Sequence, residues 1–336
     1  MNKRITYLDL AKGILIITVV LSHSPFKFAP YMYWFHMPAF FIISGILHKQ
    51  NIDFKIQLLN FYIPYIIFSV IDIMFDFIIS PDSISLYNFI LYFSRHIYSG
   101  KAAWGVFWFI PILFLTRFVF TKMQRYLKTI YIILFIFLGY LLAHVYSINT
   151  IPDTITLIDE KYWFFLGIDV LPICLSYYAI GFYSKNILKY LSSVYSLVIC
   201  SLSAIILLYL NIEKDFYYYL NIKESFFKHP ILDLIYPLTF TILILSFSNN
   251  MKNKTIIKFL SYCGKNSLII MYLHKPVGNL LLSIFPSTSW VGFTLVSLSV
   301  SLLFNFLVDK YKLLSILFKG SLPNKASANE YFSLSN

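Results

Sequence analysis

Two neighbouring stretches decide the fold: RITYLDLAKGILIITVVLSHS (Arg4–Ser24) and, after a short loop, YWFHMPAFFIISGIL (Tyr33–Leu47). Both are apolar enough to lie in a bilayer, and together they read as a membrane hairpin. The hairpin nevertheless carries Arg4, Asp9, Lys12, His23 and His36. Ionisable groups at membrane depth are costly and mark functional sites by default. Chemistry is therefore expected inside or at the edge of the membrane, near the N-terminus.

The rest of the chain agrees. Of 336 residues, 59% are hydrophobic and 12% are charged, against about 25% charged in a soluble domain. Mean hydropathy is +0.72. Apolar runs of about 20 residues recur along the whole length. They predict an all-α integral membrane protein, a bundle of about ten transmembrane helices near 5–23, 31–47, 58–80, 104–121, 129–147, 163–183, 192–210, 231–248, 266–285 and 290–308. LYNFILYF, within 81–103, reads as an amphipathic piece at the interface. One membrane domain is expected over 1–319, followed by a Ser/Asn-rich, disordered cytoplasmic tail over 320–336.

The net charge of +12 belongs to the flanks of the spans. Lys and Arg gather on one set of connections about twice as often as on the other, so both termini are expected to be cytoplasmic, in the inner membrane. No basic groove interleaved with aromatics points to nucleic acid. Cys174, Cys200 and Cys263 have no metal-ligand spacing and read as small apolar fillers, so no metal is expected. The N-terminal stretch resembles a signal peptide, but Asp9 and Lys12 interrupt it and no cleavage site follows, so it is expected to be a retained span.

On a helix, Asp9, Lys12, Ile16, Val20 and His23 share one face. Asp9 and Lys12 are an i,i+3 pair and neutralise each other. His23 lies about 16 Å further along the axis at 1.5 Å per residue, and the loop allows His36 to approach it. Structural readings exist for each: an interfacial histidine at a helix end, and an ion pair locking two helices. The shared face favours function. Histidine is the natural general base near neutral pH, and a cation below it suits a phosphate.

Here the residues resemble the opening of membrane acyltransferase family 3, the O-acyltransferases of bacterial surface glycans. The likeness rests on Arg4, Asp9, Lys12 and His23, on Phe35-His36-Met37-Pro38-Ala39-Phe40-Phe41, and on Ser44-Gly45. WGVFWFIPILF (Trp104–Phe114), DVLPICLSYYAIG (Asp169–Gly181) and CGKNSLIIMYLHKP (Cys263–Pro276) follow in the family's order. Among its members the chain looks most like the short stand-alone sugar O-acetylases related to fucose 4-O-acetylase.

The resemblance implies transfer of an acetyl group from acetyl-CoA to a hydroxyl of a glycan or lipid-linked sugar, in contact with membrane lipid. His23 and His36 would be catalytic, with Asp9 holding Lys12. Arg4, Lys12 and Trp108 would meet the coenzyme A moiety. Trp104 and Trp108 also read as an interfacial aromatic belt, Ser44-Gly45 as a close helix approach, and His274 as a helix-end residue. Asp72, Asp76, Asp169 and Asp233 read equally as ion-pair partners or cavity liners. Two other functions stay open: a transporter or flippase for a polysaccharide intermediate, and a structural subunit of a glycan-assembly complex. Oligomeric state is not legible.

Overall fold

The computed structural model describes residues 3–49, 54–101, 107–153, 164–213 and 216–320, and the side chains of residues 3–5 lie outside that description. Of the expected tail over 320–336, all but Gly320 lies outside the described residues. The α-helices are α1 (Lys3–Ser22), α2 (Ala29–Met32), α3 (His36–Ile46), α4 (Phe54–Ile79), α5 (Leu86–Tyr98), α6 (Phe109–Tyr126), α7 (Thr129–Thr150), α8 (Leu171–Tyr183), α9 (Leu188–Leu191), α10 (Val194–Glu213), α11 (Leu232–Asn250), α12 (Lys254–Lys265), α13 (Ser267–Ile284), α14 (Trp290–Lys310) and α15 (Lys312–Lys319). Among the described residues the only extended pairing is one antiparallel bridge, Asn221 to Phe226.

Among the described residues, seven helical segments are long and apolar enough to cross a membrane: Phe54–Ile79, Thr129–Thr150, Phe165–Asn186, Val194–Glu213, Leu232–Asn250, Ser267–Ile284 and Trp290–Lys310. They coincide with seven of the ten sequence-predicted spans. The other three correspond to α1, α3 and α6. The side chains of α1 are described only from residue 6 onward, α3 has only 11 residues, and α6 carries Arg117, Lys122 and Arg125.

The helix starts follow local chemistry. The side chains of Ser85, Asn253 and Ser289 accept backbone N–H bonds at the beginnings of α5, α12 and α14, satisfying donors that the first turn leaves unpaired. α1 is the hub, packed against α3, α11, α12, α13 and α14. α3 lies against α8 so closely that a Cβ on Gly181 would come 1.9 Å from the Ile42 carbonyl oxygen, and one on Gly45 1.9 Å from that of Tyr178. Only glycine permits this backbone contact, which agrees with the packing role expected of Ser44-Gly45.

Two short amphipathic helices, α12 and α15, escaped the sequence reading. α12 packs along α1, and α15 packs on α4 and α14. Together they close one end of the bundle, at the Lys12 end of α1.

Candidate functional site

Three helices give the site the same axial order. Lys12, Ile16 and His23 follow one face of α1 and its C-terminal turn. Phe40 and Ser44 continue the strip of α3 that begins at His36, running the opposite way. Ser267, Met271 and His274 form a strip on α13. Each strip has a polar group at one end, apolar residues in the middle and a histidine at the other end.

At the Lys12 end the strips line a cavity of about 340 Å³, bounded by Lys12, Ser44, Asn60, Phe109, Ser267, Met271 and Lys319 among others. Lys12 Nζ lies 2.7 Å from Asp9 Oδ1. Lys319 Nζ lies 2.5 Å from Asp309 Oδ1 and donates to Asn266 Oδ1 at 3.1 Å. Two ammonium groups, each anchored by a carboxylate, thus border one cavity. Phe40 and Met271 are among its apolar lining. His36 and His274 follow on the same helix faces, about 6 Å and about 4.5 Å further along the axes by helical rise.

At the other end the histidines converge. The rings of His23 and His274 have centroids 5.2 Å apart, those of His36 and Tyr33 5.2 Å, and those of His23 and Tyr33 6.1 Å. His23, His36 and His274 are close enough to interact electrostatically. His36 and His274 are buried, whereas His23 is half-buried. His274 Nδ1 lies 2.9 Å from the Ile270 carbonyl. A carbonyl only accepts, so Nδ1 carries the proton and Nε2 holds the lone pair. That Nε2 is buried with no hydrogen-bond partner among the described residues, as is His36 Nδ1. An unsatisfied buried ring nitrogen on a histidine packed against His23 suits a substrate or a proton in transit.

A folded loop between α10 and α11 covers this end. Tyr218, Leu220, Ile222 and Phe227 are buried, so the loop packs as a piece of core. Trp34 Nε1 donates to the Tyr218 carbonyl at 3.1 Å, and the Tyr218 hydroxyl donates to Asp233 Oδ1 at 2.8 Å. Ser147 Oγ donates to the Ser225 carbonyl at 2.7 Å. Lys101 Nζ lies 2.5 Å from Asp169 Oδ2 and 2.9 Å from Ser225 Oγ, and the Ser225 hydroxyl also donates to Asp169. The loop's tip carries Lys223 and Glu224, 3.8 Å apart. Burial lowers the pKa of the Lys223 ammonium, and the Glu224 charge opposes that shift.

The sequence-predicted residues divide accordingly. His23 and His36 come together in one cluster, and the i,i+3 pairing of Asp9 with Lys12 is present, with Asp9 also at the α1–α12 contact: a Cβ on Gly264 would come 1.8 Å from its carbonyl oxygen. Lys12 borders the cavity. Trp108 is buried against Phe109 and does not line the cavity, which Phe109 and Ile110 do. The side chain of Arg4 and the whole of Trp104 lie outside the described residues. Asp72, Asp169 and Asp233 act as partners of His96, Lys101 and His144. Sequence reasoning gave His274 a helix-end role and passed over Lys319. The signal for His274 was its i,i+7 spacing from Ser267 on a polar strip; Lys319 had none beyond its charge. Among the described residues no group of three or more His, Cys, Asp or Glu comes together to hold a metal ion.

A family model described as "Acyltransferase domain" matches residues 5–309. Neither a curated protein nor a solved structure matches the chain significantly.

Proposed function

The chain belongs to the acyltransferase domain family, and from that premise we propose that it moves an acetyl group from acetyl-CoA to a hydroxyl of a cell-surface glycan or lipid-linked sugar. It is a multi-pass membrane protein. In this reading α1, α3 and α6 bring the seven apolar helices to ten crossings in the cytoplasmic membrane, with both termini and the Lys12 end on the cytoplasmic side.

The observation that carries the reading is the convergence of His23, His36 and His274 one helical turn beyond a cavity bordered by Lys12 and Lys319. Ammonium groups at the cavity mouth suit the phosphates of coenzyme A. The thin pantetheine arm runs along the apolar middle of the strips toward the histidines, over about the 16 Å between Lys12 and His23. His23, the half-buried member, takes the proton of the acceptor hydroxyl. The oxygen attacks the thioester carbonyl carbon, the C–S bond breaks, and the departing thiolate regains a proton from the histidinium. The products are the acetyl ester and free coenzyme A. Tyr33 and His36 stand beside the point where negative charge develops.

The experiment is acetyl transfer from labelled acetyl-CoA to the surface glycan fraction, with membranes that contain or lack the protein. Label that depends on the protein supports the reading, and protein-independent label opposes it. In the same assay Lys12→Gln and Lys319→Gln are expected to raise KM for acetyl-CoA by about ten- to a hundredfold each, in line with loss of a charge-assisted contact of about 1.5–3 kcal/mol, with a smaller effect on kcat. A fall in kcat at unchanged KM would remove both lysines from the donor site.

A further inference from the structure

Building on the acyl-transfer reading, we infer that His274 is a positioning residue for His23. Its Nε2 lone pair accepts a hydrogen bond from one ring nitrogen of His23, which leaves the other unprotonated toward the acceptor hydroxyl.

The chain uses one helical seat for three of its histidines. His96 Nδ1 lies 2.9 Å from the Tyr92 carbonyl oxygen, His144 Nδ1 2.8 Å from that of Tyr140, and His274 Nδ1 2.9 Å from that of Ile270. A carbonyl only accepts, so each Nδ1 carries a proton and each ring offers its surroundings Nε2. In two of the three a carboxylate takes up that offer. His96 Nε2 lies 3.1 Å from Asp72 Oδ2, and His144 Nε2 3.1 Å from Asp233 Oδ2. These rings tie α5 to α4 and α7 to α11.

His274 differs. It is fully buried, and its Nε2 has no hydrogen-bond partner among the described residues. A buried polar atom left unpaired is costly and calls for a reason. Where the other two rings meet an acid, this one meets His23, with centroids 5.2 Å apart and planes tilted by 36°. Nitrogens on facing edges of two imidazoles at that separation come within hydrogen-bond reach. His23 has room to turn: it lies past the last turn of α1, is half-buried, and meets Tyr33 only edge-on, at 6.1 Å. Catalytic hydrogen bonds often tighten only when substrate binds.

The proton count fixes the roles. His274 Nδ1 already holds a proton, so Nε2 accepts, and the His23 nitrogen that approaches it is an N–H. A neutral imidazole has one N–H, so the second His23 nitrogen keeps its lone pair. That lone pair is the base, oriented by a third group behind it. As the acceptor oxygen bonds to the thioester carbon, its proton passes to His23, and both His23 nitrogens become N–H. His274 then holds the imidazolium by a charge-assisted bond, until the proton leaves for the departing thiolate. His274 itself gains and loses no proton.

The test uses the full chain in phosphatidylcholine nanodiscs and has two readouts. The first is NMR of isotope-labelled histidine ring nitrogens. Wild type and His274→Gln, whose amide oxygen stands in for Nε2, are expected to hold His23 in one tautomer. His274→Phe, which fills the space without an acceptor, should release it to a mixture. The second readout is acetyl transfer to the surface glycan fraction. His274→Phe should lower kcat about ten- to a hundredfold, the size of a lost hydrogen bond to a charged group, at unchanged KM for acetyl-CoA. His274→Gln should recover most of that loss, and neither substitution should slow a His23→Ala protein further. A His23 tautomer indifferent to His274→Phe, or a loss of rate equal with and without His23, would overturn the inference and leave His274 a packing residue. A tautomer released by His274→Phe in nanodiscs that transfer no acetyl label would leave the hydrogen bond standing and overturn its part in acetyl transfer.

Discussion

Replacing His23 with alanine is expected to lower kcat for acetyl transfer by about 10²–10⁴-fold, the usual contribution of a positioned general base. Thermal stability in nanodiscs and KM for acetyl-CoA should stay near wild type. The two expectations have separate physical grounds. His23 lies just beyond the last turn of α1 and is only half-buried, and its ring meets Tyr33 and His274 by edge and tilted contacts. Its removal therefore opens little core. In the proposed reading the donor phosphates meet Lys12, about 16 Å away by helical rise, too far for this ring to touch.

His274 behaves differently. It is fully buried on α13 with Nδ1–H bonded to Ile270, so alanine there leaves a cavity and should cost stability as well as rate. A His23 variant that loses stability in step with activity would make His23 a packing residue.

The largest effect on stability is expected from Lys101→Met. Lys101 and Asp169 have side chains 2% exposed each, so removing the ammonium leaves a buried carboxylate uncompensated, at about 3–5 kcal/mol. The loss should extend to function, because the same node holds Ser225 and with it the loop over the histidines. The double variant Lys101→Met/Asp169→Leu should regain most of the stability, since a buried ion pair replaced by apolar groups of similar volume is often neutral or better. Unfolding midpoints in nanodiscs read both effects. A single variant as stable as wild type would mean that the carboxylate is not held in a dry interior.

Much of this was legible locally. The Asp9–Lys12 pair follows from i,i+3 geometry on one helix, and the close approach at Gly45 from a small residue in an apolar run. Seven spans followed from hydropathy because each is a long run with few charges. The rest depended on contacts that no local pattern encodes. His274 is 251 positions from His23 in the chain, and only the packing of α13 on α1 brings their rings together. Lys319 reaches the cavity because α15 folds back beneath α4. α12 and α15, with 12 and 8 residues, are too short and too charged for a span-length window. The loop between α10 and α11 carries a run of tyrosines, Tyr217–Tyr219, that no local pattern marks as core. Its burial comes from the partners Trp34, Ser147 and Asp233, spread over the rest of the sequence. Phe109 and Ile110, in the turn that Trp108 starts, line the cavity, an orientation set by packing.

The central claim is that donor and acceptor meet from opposite ends of one column, and sealed proteoliposomes of uniform orientation test it most directly. Labelled acetyl-CoA, too polar to cross the bilayer, is supplied only on the Lys12 face, and the glycan fraction only on the His23 face. The account predicts acetylated glycan, absent when the protein carries His23→Ala. Transfer that occurs only when donor and acceptor share one face would contradict it.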